Sequence, residues 1–153
     1  MIKCNVTVCG TISREAQMRT GKEGKPFMSL GINVVIPAKS GINTFSAGSE
    51  DSIKGDIEFR GTLGNKIEEK KDKKGNPFCV FSAFSSEKNG DSYDYTWIRF
   101  LQFGEGRKEW MQPKSGINAK GELQMSVYND RLDIACRVSE VSQWDKTANN
   151  PNR

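Results

Sequence analysis

Tyr95-Thr96-Trp97-Ile98-Arg99-Phe100-Leu101-Gln102-Phe103-Gly104 is the stretch that decides how the chain is read. Side chains alternate between the two faces of a β-strand. Alternation puts Tyr95, Trp97, Arg99, Leu101 and Phe103 on one face, with Ile98 and Phe100 on the other. Rings flanking a guanidinium on a short strand are what a groove for a single nucleic-acid strand requires. Bases stack on the rings and the cation meets phosphate.

Outward from this strand the pattern repeats: short β-prone runs separated by Gly, Asn, Asp, Ser and Lys. The runs are 4–13, 27–36, 57–63, 78–85, 93–103, 119–128 and 131–141. Asn129 and Asp130 separate the last two and signal a hairpin turn. One stretch reads as helix, Glu105 to Gln112, stopped by Pro113. The fold class is therefore all-β with one short helix. Over residues 57–142 the order is strand, long loop, strand, loop, strand, helix, strand, turn, strand. That is the plan of a five-stranded OB-fold barrel.

Sliding the chain by 51 residues superimposes two segments without a gap. Gly10-Thr11 falls on Gly61-Thr62, Lys22 on Lys73, Gly24 on Gly75 and Pro26-Phe27 on Pro77-Phe78. Val6, Val8, Ile12 and Leu30 fall on Ile57, Phe59, Leu63 and Phe81. Each copy reads as a β-hairpin with a long basic loop, which favours internal duplication. The pentapeptide Lys-Ser-Gly-Ile-Asn also recurs, at 39–43 and 114–118. Too few residues separate the copies for the first to be a whole barrel. It is a partial copy, with a third short strand expected at Asn43 to Ala47. The expected organisation is a half-repeat hairpin over 1–49, an OB-fold domain over 50–145 and a flexible tail over 146–153.

Composition bounds the chemistry. The chain has 153 residues, 35% hydrophobic and 27% charged, with a net charge of +4 and no histidine. Its mean hydropathy is -0.63. One domain plus an appendage fits this length. A His-based triad, an imidazole base and an imidazole-bound zinc are excluded. Cys4, Cys9, Cys79 and Cys136 form no C-x-x-C pair and sit in apolar stretches, so reduced, buried thiols are expected. No apolar run approaches the roughly 20 residues of a membrane span. No leader is recognised, and a soluble, cytoplasmic protein is expected. Residues 1–49 hold six positive and two negative charges, a net +4 equal to that of the whole chain. That points to a first hairpin that extends a binding surface for an anionic partner.

The sequence resembles the bacterial-type single-stranded DNA-binding proteins, an OB-fold family. The resemblance rests on Gly61-Thr62-Leu63-Gly64, Gly75-Asn76-Pro77-Phe78 and Trp97-Ile98-Arg99-Phe100-Leu101-Gln102-Phe103-Gly104. Lys114-Ser115-Gly116 and Ala119-Lys120-Gly121-Glu122-Leu123 complete it. It covers about 57–142. It implies non-catalytic, sequence-independent binding and protection of single-stranded DNA in replication or recombination, with no cofactor and no metal. RNA is the second ligand class, and a homo-oligomer is implied.

By the same resemblance Trp97, Phe103 and Tyr128 match base-stacking aromatics and Arg99 a phosphate-facing position. Tyr95 shares their face. Phe84 ranks lower, since it is expected on the face opposite Phe81 only where its strand is bulged or ends nearby. Lys66 and Lys73, with Lys70, Lys71 and Lys74, lie in a loop that this fold uses to wrap a strand. Arg60 and Lys120 complete the candidate set. Trp110 is expected to plug the barrel and Trp144 to act as a packing lid. The family's acidic, partner-recruiting tail is not matched by Thr147–Arg153. Either the chain does not recruit replication proteins in that way, or it belongs to a divergent plasmid, phage or mobile-element branch. The alternative is an OB-fold module for protein interaction or assembly.

Overall fold

The computed structural model describes residues 1–36 and 51–147. Their order is β1 (Ile2–Cys9), β2 (Thr11–Thr20), β3 (Pro26–Asn33), β4 (Ser52–Lys71), β5 (Pro77–Asn89), β6 (Ser92–Phe103), β7 (Gly116–Tyr128) and β8 (Arg131–Gln143). The strand expected at 43–47 and the first Lys-Ser-Gly-Ile-Asn lie outside the described residues.

The all-β expectation holds, without the helix. Residues 105–112 make irregular turns, with Met111 N donating to Lys108 O and Gln112 N to Trp110 O. Gly106 and Pro113 leave less than two turns for a helix, too short to repay nucleation. Arg107 takes over as the organiser. Its backbone N donates to Glu69 Oε1 at 2.7 Å and its Nε to Met111 O at 2.8 Å. Trp110 is partly buried against the core.

Pairings β4–β5, β5–β6, β6–β8, β8–β7 and β7–β4 close on themselves, and β1 adds to β4. All are antiparallel except β6–β8. The core sits inside this cycle: Ile57, Phe59, Leu63, Phe81, Ile98, Phe100, Ile117 and Cys136 are buried. Period-two alternation places them. On β5, Cys79, Phe81 and Ala83 are buried while Phe78, Val80, Ser82 and Phe84 are half-exposed. Phe100 is central, stacked on Phe81 at 5.2 Å and edge-on to Phe59 at 5.0 Å between centroids. The hairpin turn after β7 is the expected one, since Tyr128 pairs with Arg131 across two residues. Asn129 and Asp130 have φ of 48° and 57°, the left-handed pair of a type I′ turn.

The 51-residue offset is visible in the pairing itself. Thr11↔Asn33, Ile12↔Ile32, Arg19↔Phe27 and Thr20↔Pro26 in the β2–β3 hairpin become Thr62↔Phe84, Leu63↔Ala83, Lys70↔Phe78 and Lys71↔Pro77 in β4–β5. Both ladders shift register after Ile12 or its counterpart Leu63. The closing turns match too: Gly21 N bonds Lys25 O, and Asp72 N bonds Asn76 O. A Cβ at Gly10 would lie 2.3 Å from Asn33 O, and one at Gly61 would lie 2.2 Å from the equivalent Phe84 O. Only glycine allows this approach, which bends the strand from one partner to the next. In β4 the strand continues through the bend; in the first copy it divides there into β1 and β2.

The two copies also pair with each other. Asn5 stands opposite Asp56, its own counterpart, with Ile2↔Phe59 mirrored by Val8↔Ile53. This is the isologous rule of a two-fold interface, met within one chain.

Two expectations need correcting. The basic loop before Pro77 is mostly strand: β4 runs to Lys71 and the turn is short. Asn65 to Lys71 lacks apolar alternation because only Ile67 packs against the core while its neighbours are exposed, and so it reads as loop. The thiols also divide. Cys79 and Cys136 are buried, but Cys4 and Cys9 are exposed on β1, a sheet-edge strand covered on neither face along most of its length. Burial, with the Cys4 thiol beside it, pushes Cys136 up to about 12, which keeps that thiol protonated and unreactive near neutral pH.

The first copy keeps the core pattern without the core. Ile12 is 70%, Met18 66% and Met28 64% exposed, with Leu30 and Ile32 exposed beside them. Leu63, Cys79, Phe81 and Ala83, the counterparts of Ile12, Met28, Leu30 and Ile32, are buried, whereas Met18 falls on the exposed Glu69. The hairpin carries an apolar row with no cover among the described residues.

Candidate nucleic-acid interface

Strands β5 and β6 pair without a break from Phe78↔Phe103 to Asn89↔Ser92. Directly opposed residues share a face. Uninterrupted alternation therefore builds one outer row from Phe103, Leu101, Arg99, Trp97, Tyr95 and Tyr93 beside Phe78, Val80, Ser82, Phe84, Ser86 and Lys88. The row is aromatic and open: Tyr95 is 60%, Trp97 55% and Phe103 47% exposed. Phe84 needs no bulge to join it. Residues 81 and 84 are an odd number apart, so strict alternation already opposes them. Its ring centroid is 4.9 Å from that of Trp97 and 5.5 Å from that of Tyr95.

The sequence reading missed three members. Phe78 stacks on Phe103 at 5.4 Å. Arg137 of β8 holds its guanidinium 5.0 Å from the Phe103 centroid, a cation–π contact at the row's end. Tyr93 lies opposite Lys88 at the far end. The pairing of β5 with β6 was the signal for Phe78 and Tyr93. Nothing in the sequence order points to Arg137.

Arg99 sits in the middle of the row, but its Nη2 is 2.7 Å from Asp133 Oδ2 of β8. Most of its charge is spent on that carboxylate, and the pair is only partly exposed. A phosphate near Arg99 therefore meets a neutralised cation.

The remaining candidates are scattered. Arg60 lies on the β4–β7 ladder, donating from Nε to Asn118 Oδ1 at 2.9 Å, with its guanidinium 5.5 Å from the Trp144 ring. Trp144 is half-buried there. Lys120, on the same ladder, approaches Glu58 at 3.7 Å. Lys66 lies where the β4–β5 register shifts, and Lys73 is in the turn, where Asp72 accepts from the backbone N of Lys74 and Asn76. A side-chain bond from Asn76 Nδ2 to Asp72 Oδ2 at 3.0 Å, with those backbone bonds, holds the Asp72 carboxyl below its ordinary range. Tyr128 ends β7; its side chain lies outside the described structure. The structure thus brings together Phe84, Tyr95, Trp97, Arg99 and Phe103, while Arg60 and Lys120 belong to a different ladder.

Among the described residues no group of three or more Cys, Asp or Glu is placed to hold a metal. No helix there is long and apolar enough to cross a membrane.

No family model and no curated protein matches the chain. Several solved structures are similar to it. The single-stranded-DNA-binding protein of Plasmodium falciparum, solved in complex with single-stranded DNA, is 16% identical; the match covers 59% of this chain and 94% of that one, with a TM-score of 0.46. The mitochondrial single-stranded-DNA-binding protein Rim1 of S. cerevisiae is 14% identical, over 57% of this chain and 91% of its own, with a TM-score of 0.45. The protein PriB of Ralstonia solanacearum is 14% identical, over 58% and 97%, with a TM-score of 0.44.

Proposed function

We propose that the closed cycle β4-β5-β6-β8-β7 is an OB-type barrel and that the protein binds single-stranded DNA without catalysis, largely independently of sequence. The observation that carries this reading is the open aromatic row on β5–β6. Large rings left exposed together on one face call for a partner. Nucleobases supply flat π-faces of matching size, and stacking on them is tolerant of sequence. The cations around the row give the phosphate contribution, so binding weakens as salt rises. A role in protecting strands during replication or recombination follows from that activity, and the chain's own residues do no chemistry on the ligand.

Trp97 is the reporter. Tryptophan fluorescence is expected to fall on adding oligo-dT at low salt, to fall far less with duplex of the same length, and to recover as salt is added. Fluorescence unchanged by oligo-dT, with no shift in a gel, contradicts the proposal.

We further propose that the protein is a homo-oligomer in which the Ile12, Met18, Met28, Leu30 and Ile32 row is buried against the same row of a second copy. The favouring observation is that Ile12, Met28, Leu30 and Ile32 occupy core positions of the repeat yet lie open, with Met18 open beside them. Two identical apolar faces are self-complementary under a two-fold. Met28→Glu puts a charge into that contact and is expected to lower the mass in light scattering to that of one chain. An unchanged mass, with the parent oligomeric, contradicts this face.

A further inference from the structure

We infer that the outer face of the β2–β3 hairpin is a second nucleic-acid track, continuing the one on β5–β6. The inference rests on the single-strand reading above and adds a site to it.

The repeat places the face. Asn5 opposes Asp56 in an antiparallel pair, so the approximate two-fold runs perpendicular to the sheet there. Equivalent faces of the two copies therefore lie on the same side of that sheet. On the first hairpin the row opposite the apolar one holds Thr11, Arg14, Gln17 and Arg19 on β2 and Phe27, Ser29, Gly31 and Asn33 on β3. Phe27 is the counterpart of Phe78, which stacks on Phe103 in the aromatic row. It is 47% exposed, where Phe78 is half-buried.

Charge makes this face more than an echo. In the second copy the positions of Arg14 and Arg19 hold Asn65 and Lys70, and Lys70 is paired with Glu68 at 2.9 Å. Neither Arg14 nor Arg19 has an ion pair among the described residues, and both line a groove of about 490 Å³ with Gln17, Ser29 and Asn33. Among the described residues Glu15 is the one carboxylate on its wall. Gly31 keeps the floor low, since a Cβ there would come 3.5 Å from the Arg14 stem and 2.8 Å from Ser13 Oγ. Two free guanidiniums, amide and hydroxyl donors and one open ring fit a phosphodiester chain with an occasional stacked base. A single strand leaving the β5–β6 row on this side of the sheet meets that groove.

The test compares the parent with Arg14→Ala/Arg19→Ala and Arg14→Lys/Arg19→Lys, each titrated by tryptophan fluorescence with a short and a long oligo-dT. All three tryptophans lie outside the hairpin. The short oligomer, about 6 nucleotides, matches one small site; the long one, about 30, exceeds the roughly 4–16 nucleotides of a single OB-type site. The alanine variant is expected to bind the short oligomer like the parent but the long one about tenfold more weakly. Its salt slope for the long oligomer should be shallower by about 1.4, two phosphates at roughly 0.7 each. The lysine variant, which keeps the charge, should restore most of that slope. Parent-like affinity and slope of the alanine variant on the long oligomer overturn the inference, with the β5–β6 reading left standing. Absence of quenching in the parent overturns both.

Discussion

Trp97→Ala is expected to weaken binding of oligo-dT by about ten- to a hundredfold. A stacked base contributes about 1–3 kcal/mol, and each 1.4 kcal/mol is a factor of ten. Trp97 has the largest ring in the row and the central position, flanked by Tyr95 and backed by Phe84. More than half of it is exposed, so little core packing is lost with it. Trp97→Phe keeps a smaller π-face and should recover part of the affinity. A filter-binding isotherm at fixed salt reads the effect, and a thermal melt within a few degrees of the parent shows that the fold is intact. Parent-like affinity of Trp97→Ala contradicts stacking at this position.

Phe100→Ala is expected to cost about 3–5 kcal/mol of stability. Phe100 is 0% exposed and its ring contacts both Phe81 and Phe59. It is also the middle of the three parallel pairs by which β6 and β8 help close the cycle, at Phe100↔Cys136. Its removal leaves a cavity bounded by strands on several sides, which cannot collapse without breaking their ladders. A domain of this size has about 5–15 kcal/mol in total, so the loss is a large part of it. A urea melt should show a lower midpoint at unchanged slope. A midpoint equal to the parent's would place Phe100 outside the core.

The contrast between these residues was legible in the sequence, because they sit three apart on one strand whose alternation is unbroken. The same holds for the repeat, down to Gly10 and Gly61, whose role as bends the sequence marks only as identity. Other features depended on partners distant in the chain. Arg99 reads as a free cation until β8 brings Asp133 against it. Arg137 reaches Phe103 only through that same crossing. The stretch from Glu105 reads as helix on local grounds, but Glu69 takes the Arg107 backbone N. Cys4 looks buried because Val6 and Val8 flank it, yet half a repeat cannot enclose them. Sequence patterns define which face is apolar; they do not say whether enough strands follow to cover it.

Ultraviolet cross-linking of the protein to oligo-dT, with the linked residues mapped by mass spectrometry, tests the central claim most directly. The account predicts cross-links on the β5–β6 row, at Trp97, Tyr95, Phe84 and Phe103, and their loss when unlabelled oligo-dT competes. Cross-links confined to the β4–β7 ladder around Arg60 and Lys120, with none on that row, would contradict it.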